Sequence, residues 1–294
     1  VYVNGERINT VEALWLKQKS QVTPEQYREF FKFQAHRTEE PLGWLHFSAD
    51  VPLDLHALLF IPSENPERLG LGPMESGVAL HCRKVLIDAQ PKKLLPSWLR
   101  FLTGVIDSAD LPLNISRESL QDHNLVQRIG QVLSKRVVKY LEGLAQEDSA
   151  TYRKFYQTFG YCLKEGVAQD WAHREALAGL LRFESSRPAT TDATAAPEDP
   201  QWTTLAEYVA RMPAEQSEIY FLSGPSRAYL QASPHLVVFR KRGVEVLYCL
   251  EAIDEFALNH LGQYEGKRFV CAEGADLNLP ETEVLSDPEA DPDL

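Results

Sequence analysis

Arg117 is the residue whose type and position most invite a chemical reading. It lies in Asp107-Ser-Ala-Asp-Leu-Pro-Leu-Asn-Ile-Ser-Arg-Glu118, where Pro112 and the Asn/Ser chemistry after it predict a loop handing over to a helix near Ser116. A cation in the first turn of that helix meets the positive end of the macrodipole and is disfavoured by roughly 0.3–1 kcal/mol. Conflicts of this kind are expected where a residue serves something other than stability, and an arginine at a loop–helix junction is a good reader of phosphate or carboxylate. The structural reading is that Glu118 and nearby acids neutralise it at the surface. Both stand on local evidence.

Other groupings carry less. Gly70-Leu-Gly72 with Gly77 fits neither the dinucleotide fingerprint nor the phosphate-loop spacing and reads as a flexible hairpin connection. Lys92, Lys93 and Arg100 cluster around Trp98 as a solvated basic face, with partner binding as the alternative. Arg240-Lys-Arg242 closes a helix ahead of Gly243, since cations favour the last turn and glycine the position after it. Trp15, within Val11-Glu-Ala-Leu-Trp-Leu-Lys-Gln18, reads as core, or as an anchor for a partner. The four cysteines have no Cys-x-x-Cys spacing and read as buried reduced thiols. The eight histidines show no His-Glu-x-x-His pattern, so no metal site is expected. Asn114-Ile-Ser116 matches a glycosylation sequon, which carries no meaning in a reducing compartment. Spacing alone assembles no nucleophile–base pair and no paired carboxylates.

The elements that would position these residues are partly legible. Thr23-Pro-Glu-Gln26 supplies an N-cap, a proline at the first helical position and a capping-box glutamine. Tyr27, Phe30 and Phe31 follow on one face of a helix to about Arg37. Segments 43–47, 55–61 and 78–88 are short, apolar and bounded by Pro, Gly or Asp, as strands are. Downstream of Arg117, Leu125, Ile129, Val132, Leu133, Val137, Tyr140, Leu141 and Leu144 recur at helical spacing, so a long amphipathic helix is expected. Residues 149–183 read as further helices anchored by Tyr152, Phe155, Tyr156, Phe159 and Trp171.

Residues 186–201 have no apolar period and read as a linker or surface loop that marks a domain boundary. Beyond it, helix 205–211, strand 219–222, helix 226–241, strand 244–250, helix 254–264 and strand 268–271 predict parallel βαβ units. The expected fold class is α/β. A larger α/β/α sandwich with the arginine loop fills residues 1–145, a helical connector and loop 146–201, and a smaller α/β/α domain 202–275. An acidic disordered tail or linker forms 276–294.

The 294 residues suffice for such cores, and a composition of 44% apolar and 24% charged residues is that of an ordinary globular protein. No apolar run approaches the ~18 residues needed to span a bilayer. The net charge of −12 argues against a general nucleic-acid binder. Half of it lies in the last fifteen residues, 280–294, which hold six acids and no Lys or Arg. The chain starts at Val1 and reads as an excised fragment.

Residues 98–121, Trp98-Leu-Arg-Phe-Leu-Thr-Gly-Val-Ile-Asp-Ser-Ala-Asp-Leu-Pro-Leu-Asn-Ile-Ser-Arg-Glu-Ser-Leu-Gln121, closely resemble the signature of the middle region of the heat-shock-protein-90 family of chaperones. The resemblance extends through Ala13-Leu-Trp15, Leu58-Leu-Phe-Ile-Pro62, Ala178-Gly-Leu-Leu-Arg-Phe183, Tyr208-Val-Ala-Arg-Met212 and Ile253-Asp-Glu255, and covers residues 4–275. Val22-Thr-Pro-Glu-Gln-Tyr27 and Lys164-Glu-Gly-Val-Ala-Gln-Asp170 look more like the bacterial high-temperature protein G branch. Lys84-Val-Leu-Ile87 favours the mitochondrial paralogue.

The resemblance implies an ATP-dependent stress-response chaperone that works as a homodimer on unfolded or partly folded client proteins, in the cytoplasm or, for the rival branch, the mitochondrial matrix. ATP with Mg2+ would be held mainly by an amino-terminal domain, and a carboxy-terminal domain would hold the dimer. Arg117 would reach the ATP γ-phosphate in the closed state, helped by Gln121 and Asn114. Trp15 would contact clients. The alternative is a non-catalytic protein-binding scaffold in which Arg117 is structural. The chain departs from the family in lacking the nucleotide and dimer domains, in a loop near 67–77 without the lysine-rich eukaryotic form, and in a slightly expanded 186–201 loop. On this reading it neither binds ATP tightly nor hydrolyses it by itself.

Overall fold

A computed structural model describes residues 2–3, 6–7, 13–51, 53–70, 72, 74–111, 123–187 and 201–274. The chain divides into two compact units, Val1–Cys162 and Leu163–Leu294. The division falls within a helix and not at residues 186–201.

The first unit opens with a two-residue hairpin, β1 (Tyr2–Val3) against β2 (Glu6–Arg7). Its main sheet contains β3 (Gly43–Ala49), β4 (Leu55–Ile61), β5 (Gly77–Cys82), β6 (Val85–Asp88) and β7 (Thr103–Ser108), in the order β3-β4-β7-β5-β6. Only the β5–β7 pair is parallel. Every residue of β7 is buried, and six of the seven in β4 are, so both strands are covered on both faces and read as apolar runs without alternation. Gly104 makes this pairing possible. At its φ of +138° a Cβ would come within 2.2 Å of the Leu58 carbonyl oxygen on β4, so only glycine fits there.

Helix α1 (Pro24–Ala35) begins as its sequence dictates. The Thr23 hydroxyl accepts the Gln26 N–H, and the Gln26 side chain accepts the Thr23 N–H. Its Tyr27, Phe30 and Phe31 join Leu14, Trp15, Val22, Leu58, Phe60 and Val105 in one apolar cluster. Helix α2 (His123–Glu147) buries Ile129, Leu133, Val137 and Leu141, and α3 (Ser149–Gln169) buries Tyr152, Phe155, Tyr156 and Phe159. Phe101 stacks on Phe159 at 5.1 Å between ring centroids.

The second unit holds α4 (Arg174–Leu180), β8 (Glu184–Ser185), α5 (Leu205–Arg211), β9 (Glu218–Ser223), α6 (Arg227–Gln231), α7 (His235–Lys241), β10 (Val246–Cys249), α8 (Ala252–Leu261), β11 (Gln263–Tyr264) and β12 (Lys267–Cys271). Its sheet runs β11-β12-β9-β10-β8. The three central strands are parallel, as the alternation of elements predicts, and antiparallel pairs close both edges. The α/β class therefore holds in both units.

Several expectations need correction. The segment 78–88 is two strands joined by Arg83 and Lys84 at φ of 48° and 70°, a left-handed turn without the glycine that would announce it. The segment 226–241 is two helices broken at Pro234, whose ring cannot continue a helix. Asp107 lies within a central strand, one residue before its end, where the sequence reads a loop. Trp171 is no anchor: it is 77% exposed, and the Arg174 guanidinium stacks 3.6 Å from its ring centroid. The helix start near Ser116 and most of the 186–201 loop lie outside the described residues.

Candidate functional site

Arg117, Asn114 and Gln121 lie outside the described residues, so the site is built from the stem that carries them. That stem is the end of β7 and the turn after it, residues 107–111. Asp107 is 3% exposed, and its register partners are His56 on β4 and His81 on β5. A carboxylate taken out of water needs donors. It has two on one oxygen: the Trp15 indole N–H at 3.0 Å and the Lys84 backbone N–H at 2.8 Å, both to Oδ2.

The rest of the stem is pinned from other directions. The Asp110 carboxylate accepts the Asp54 N–H at 2.9 Å. The buried Cys82 thiol donates to the Leu111 carbonyl at 3.2 Å, and burial pushes that thiol's pKa up, keeping it a donor. The Ser108 hydroxyl is fully buried and has no hydrogen-bond partner among the described residues.

Trp15 sits in the core, 9% exposed. Its ring lies 5.9 Å from Phe30 and 5.2 Å from His81, and its carbonyl is 3.3 Å from His46 Nε2. The Tyr27 hydroxyl lies 2.7 Å from His46 Nδ1. Burial holds the His46 pKa below its ordinary value, partly opposed by the bond to the Trp15 carbonyl. His81 is lowered by burial too, partly opposed by Asp107. Of the two sequence readings of Trp15, the structure places the ring in the core. The residues after it, Gln18–Gln21, are exposed.

A second polar cluster was not foreseen, because its members are far apart in sequence. Arg100 grips Glu67 with two bonds, Nε to Oε1 at 2.8 Å and NH2 to Oε2 at 3.1 Å, and the Met74 N–H and Tyr161 hydroxyl also donate to Glu67. Burial alone would raise the Glu67 carboxyl, but these donors outweigh it and hold the pKa at about 2. Asn65 Nδ2 donates to the Thr158 carbonyl and the Tyr161 hydroxyl at 3.0 and 3.1 Å. The cluster fastens the loop after β4 to α3. Arg100 is thus withdrawn from the basic face expected around Lys92 and Lys93, and Trp98 is fully buried.

The glycine-rich stretch in that loop serves a turn. Gly70, at φ +74°, ends a single 3-10 turn over Pro66–Leu69, and its N–H bonds the Glu67 carbonyl. Among the described residues, no group of three or more His, Cys, Asp or Glu side chains could hold a metal ion. No disulfide joins the four cysteines; three are buried and Cys271 is half-buried. No described helix is long and apolar enough to cross a membrane.

Comparison with known proteins adds what the described geometry does not contain. Residues 1–291 match the family model described as Hsp90 protein. The chain is 47% identical to the chaperone protein HtpG of Desulfotalea psychrophila over 284 residues, which is 97% of this chain and 44% of that protein. It is 42% identical to HtpG of Desulfitobacterium hafniense over 286 residues, 97% of this chain and 45% of that one. It is also 39% identical to the mitochondrial TNF receptor-associated protein 1 homolog of Dictyostelium discoideum over 298 residues, 99% of this chain and 41% of that one. The chain spans less than half the length of these relatives.

Proposed function

The chain belongs to the Hsp90 protein family, and from that premise we propose that it is the middle segment of an ATP-dependent molecular chaperone that binds client proteins and presents Arg117 to the γ-phosphate of ATP held in another domain. Asn114 and Gln121 assist Arg117. The observation that supports this reading is the match over residues 1–291, which contains the whole of Asp107–Glu118.

The chemistry asked of Arg117 is electrostatic. Negative charge builds on the phosphoryl oxygens as the bond to the leaving group lengthens, and a guanidinium aimed at those oxygens stabilises it. Carried on a segment separate from the nucleotide's main binding site, the arginine acts only when the two parts close, so turnover is tied to conformation. ATP with Mg2+ is the cofactor of the full-length homodimer. The described part of this segment fits delivery from outside: it offers a rigid stem beside the arginine loop, and its one glycine-rich turn is used structurally.

The partners are unfolded or partly folded clients and the amino- and carboxy-terminal domains of the same chain. The protein works in a bacterial-type cytoplasm, with the mitochondrial matrix as the setting for the rival branch. Contact with clients at Trp15 belongs to a state in which the 14–22 segment lifts from the core. In the described state the exposed residues Gln18–Gln21 are what a client meets there.

Three substitutions in the full-length chain test the reading. Arg117→Lys keeps the charge but loses the planar fork, and Asn114→Ala and Gln121→Ala remove its helpers. Each lowers ATP turnover while nucleotide affinity stays constant. Turnover within about twofold of wild type in all three would remove the catalytic assignment.

A further inference from the structure

We propose that Asp107 is a positioning residue for the arginine loop, and that Trp15 acts through it. The proposal rests on the reading of Arg117 given above and concerns what fixes the loop's point of departure.

Two separate parts of the chain, the turn bearing Trp15 and the β5–β6 turn, converge on the Asp107 carboxylate at the end of β7. The Trp15 bond spans 92 residues of sequence. The Lys84 bond comes from a turn with two consecutive non-glycine residues in the left-handed region. That conformation costs about 1–2 kcal/mol per residue and persists only where the surroundings impose it. Lys84 in that conformation points its N–H at Asp107 Oδ2.

A packing role alone would not require this arrangement. The Trp15 ring is already held by Phe30 and His81, so an apolar residue at 107 would fill the site without burying a charge. Instead a carboxylate sits ten residues before Arg117, at the last turn of sheet before the loop begins. Charge-assisted bonds from two elements fix the direction of the chain at that point more tightly than packing does. The Asp110 and Leu111 contacts then carry this fixed direction to residue 111. A guanidinium misplaced by about 1 Å loses on the order of 10²-fold in rate, so the accuracy of the stem bears directly on turnover.

The experiment uses the full-length chain, with ATP turnover measured against ATP concentration and thermal unfolding followed in parallel. Trp15→Phe keeps an aromatic ring between Phe30 and His81 but removes the N–H donor together with part of the ring, so kcat is read per folded molecule. Asp107→Asn keeps the shape and removes the charge. Arg117→Ala is the control. The expected result is a fall in kcat of about tenfold for each of the first two variants, with KM for ATP unchanged and no further fall when either is combined with Arg117→Ala.

Wild-type kcat in folded Trp15→Phe and Asp107→Asn, with Arg117→Ala strongly impaired, overturns the proposal and leaves the function of Arg117 standing. Wild-type kcat in Arg117→Ala overturns the underlying reading instead. A loss confined to the folded fraction, with normal kcat per folded molecule, also overturns the proposal. If Asp107→Asn does not fold, Trp15→Phe decides.

Discussion

Arg100→Ala is expected to be among the most destabilising single substitutions outside the apolar core of the first unit. The Arg100 and Glu67 side chains are 15% and 14% exposed, and the pair is bidentate. Breaking a buried pair by deleting one partner costs about 3–5 kcal/mol, because the other charge is left out of water. Here the carboxylate keeps the Tyr161 hydroxyl and the Met74 N–H, and part of it reaches solvent, so the expected cost is about 2–3 kcal/mol. For a unit of this size that lowers Tm by roughly 5–10 °C.

The assay is urea or thermal unfolding of the chain, as a double-mutant cycle with Glu67→Gln. A coupling of about 1 kcal/mol or more is expected for groups in direct contact. The pH dependence follows from the same carboxyl. Its pKa is about 2 in the folded chain against an ordinary value of 4.5. Its contribution is therefore complete above pH 4.5 and is lost as pH falls toward 2, and the gap between wild type and Arg100→Ala narrows over that range. A cost below about 0.5 kcal/mol, or additive single mutants, would show that the cluster is surface decoration.

Acid also acts through His46, which is buried, and His81, which is half-buried. His46 and His81 have pKa values below 6.5 in the folded chain, so the unfolded chain binds protons first. Stability should fall as pH drops below about 6.5, and unfolding of His46→Asn and His81→Asn across pH 8 to 5.5 should show a shallower slope. Phe31→Ala and Phe33→Ala, two positions apart on α1, should behave oppositely. Phe31 is fully buried and should cost about 3–5 kcal/mol in denaturant unfolding, whereas Phe33, 57% exposed, should stay within about 0.5 kcal/mol. In the second unit, Lys164 Nζ lies 2.6 Å from Asp254 and 3.0 Å from Glu251. Lys164→Ala removes the countercharge of a buried carboxylate that keeps only the Leu250 and Glu251 N–H groups and should cost about 3 kcal/mol, and Lys164→Ala with Asp254→Ala less than the sum, read by the same unfolding.

What the sequence reveals is what local chemistry decides. The α1 start is legible because Thr23, Pro24 and Gln26 satisfy the helix end among themselves. Strand β4 is legible as an apolar run between prolines, and the alternation of elements in the second unit gives its parallel core. What escapes depends on partners far along the chain. Asp107 reads as a loop residue because a buried aspartate makes sense only beside Trp15, 92 residues away. Glu67, Arg100 and Tyr161 are separated by 33 and 94 residues from Glu67 outward, and no spacing rule joins them. The Arg83–Lys84 turn has no glycine or asparagine to announce it. Trp15 is core because Phe30 and His81 enclose its ring, although its residue type fits a surface anchor equally well. The chemistry of Arg117 is legible only as a conflict with the helix dipole; its meaning comes from the family.

The central claim is that this segment supplies a group to ATP bound elsewhere in the chain, and Arg117→Ala in the full-length protein tests it most directly. Turnover at saturating ATP should fall by about 10²–10³-fold, with ATP affinity and Tm unchanged. Turnover within about twofold of wild type, or a loss explained by weaker ATP binding, would contradict it.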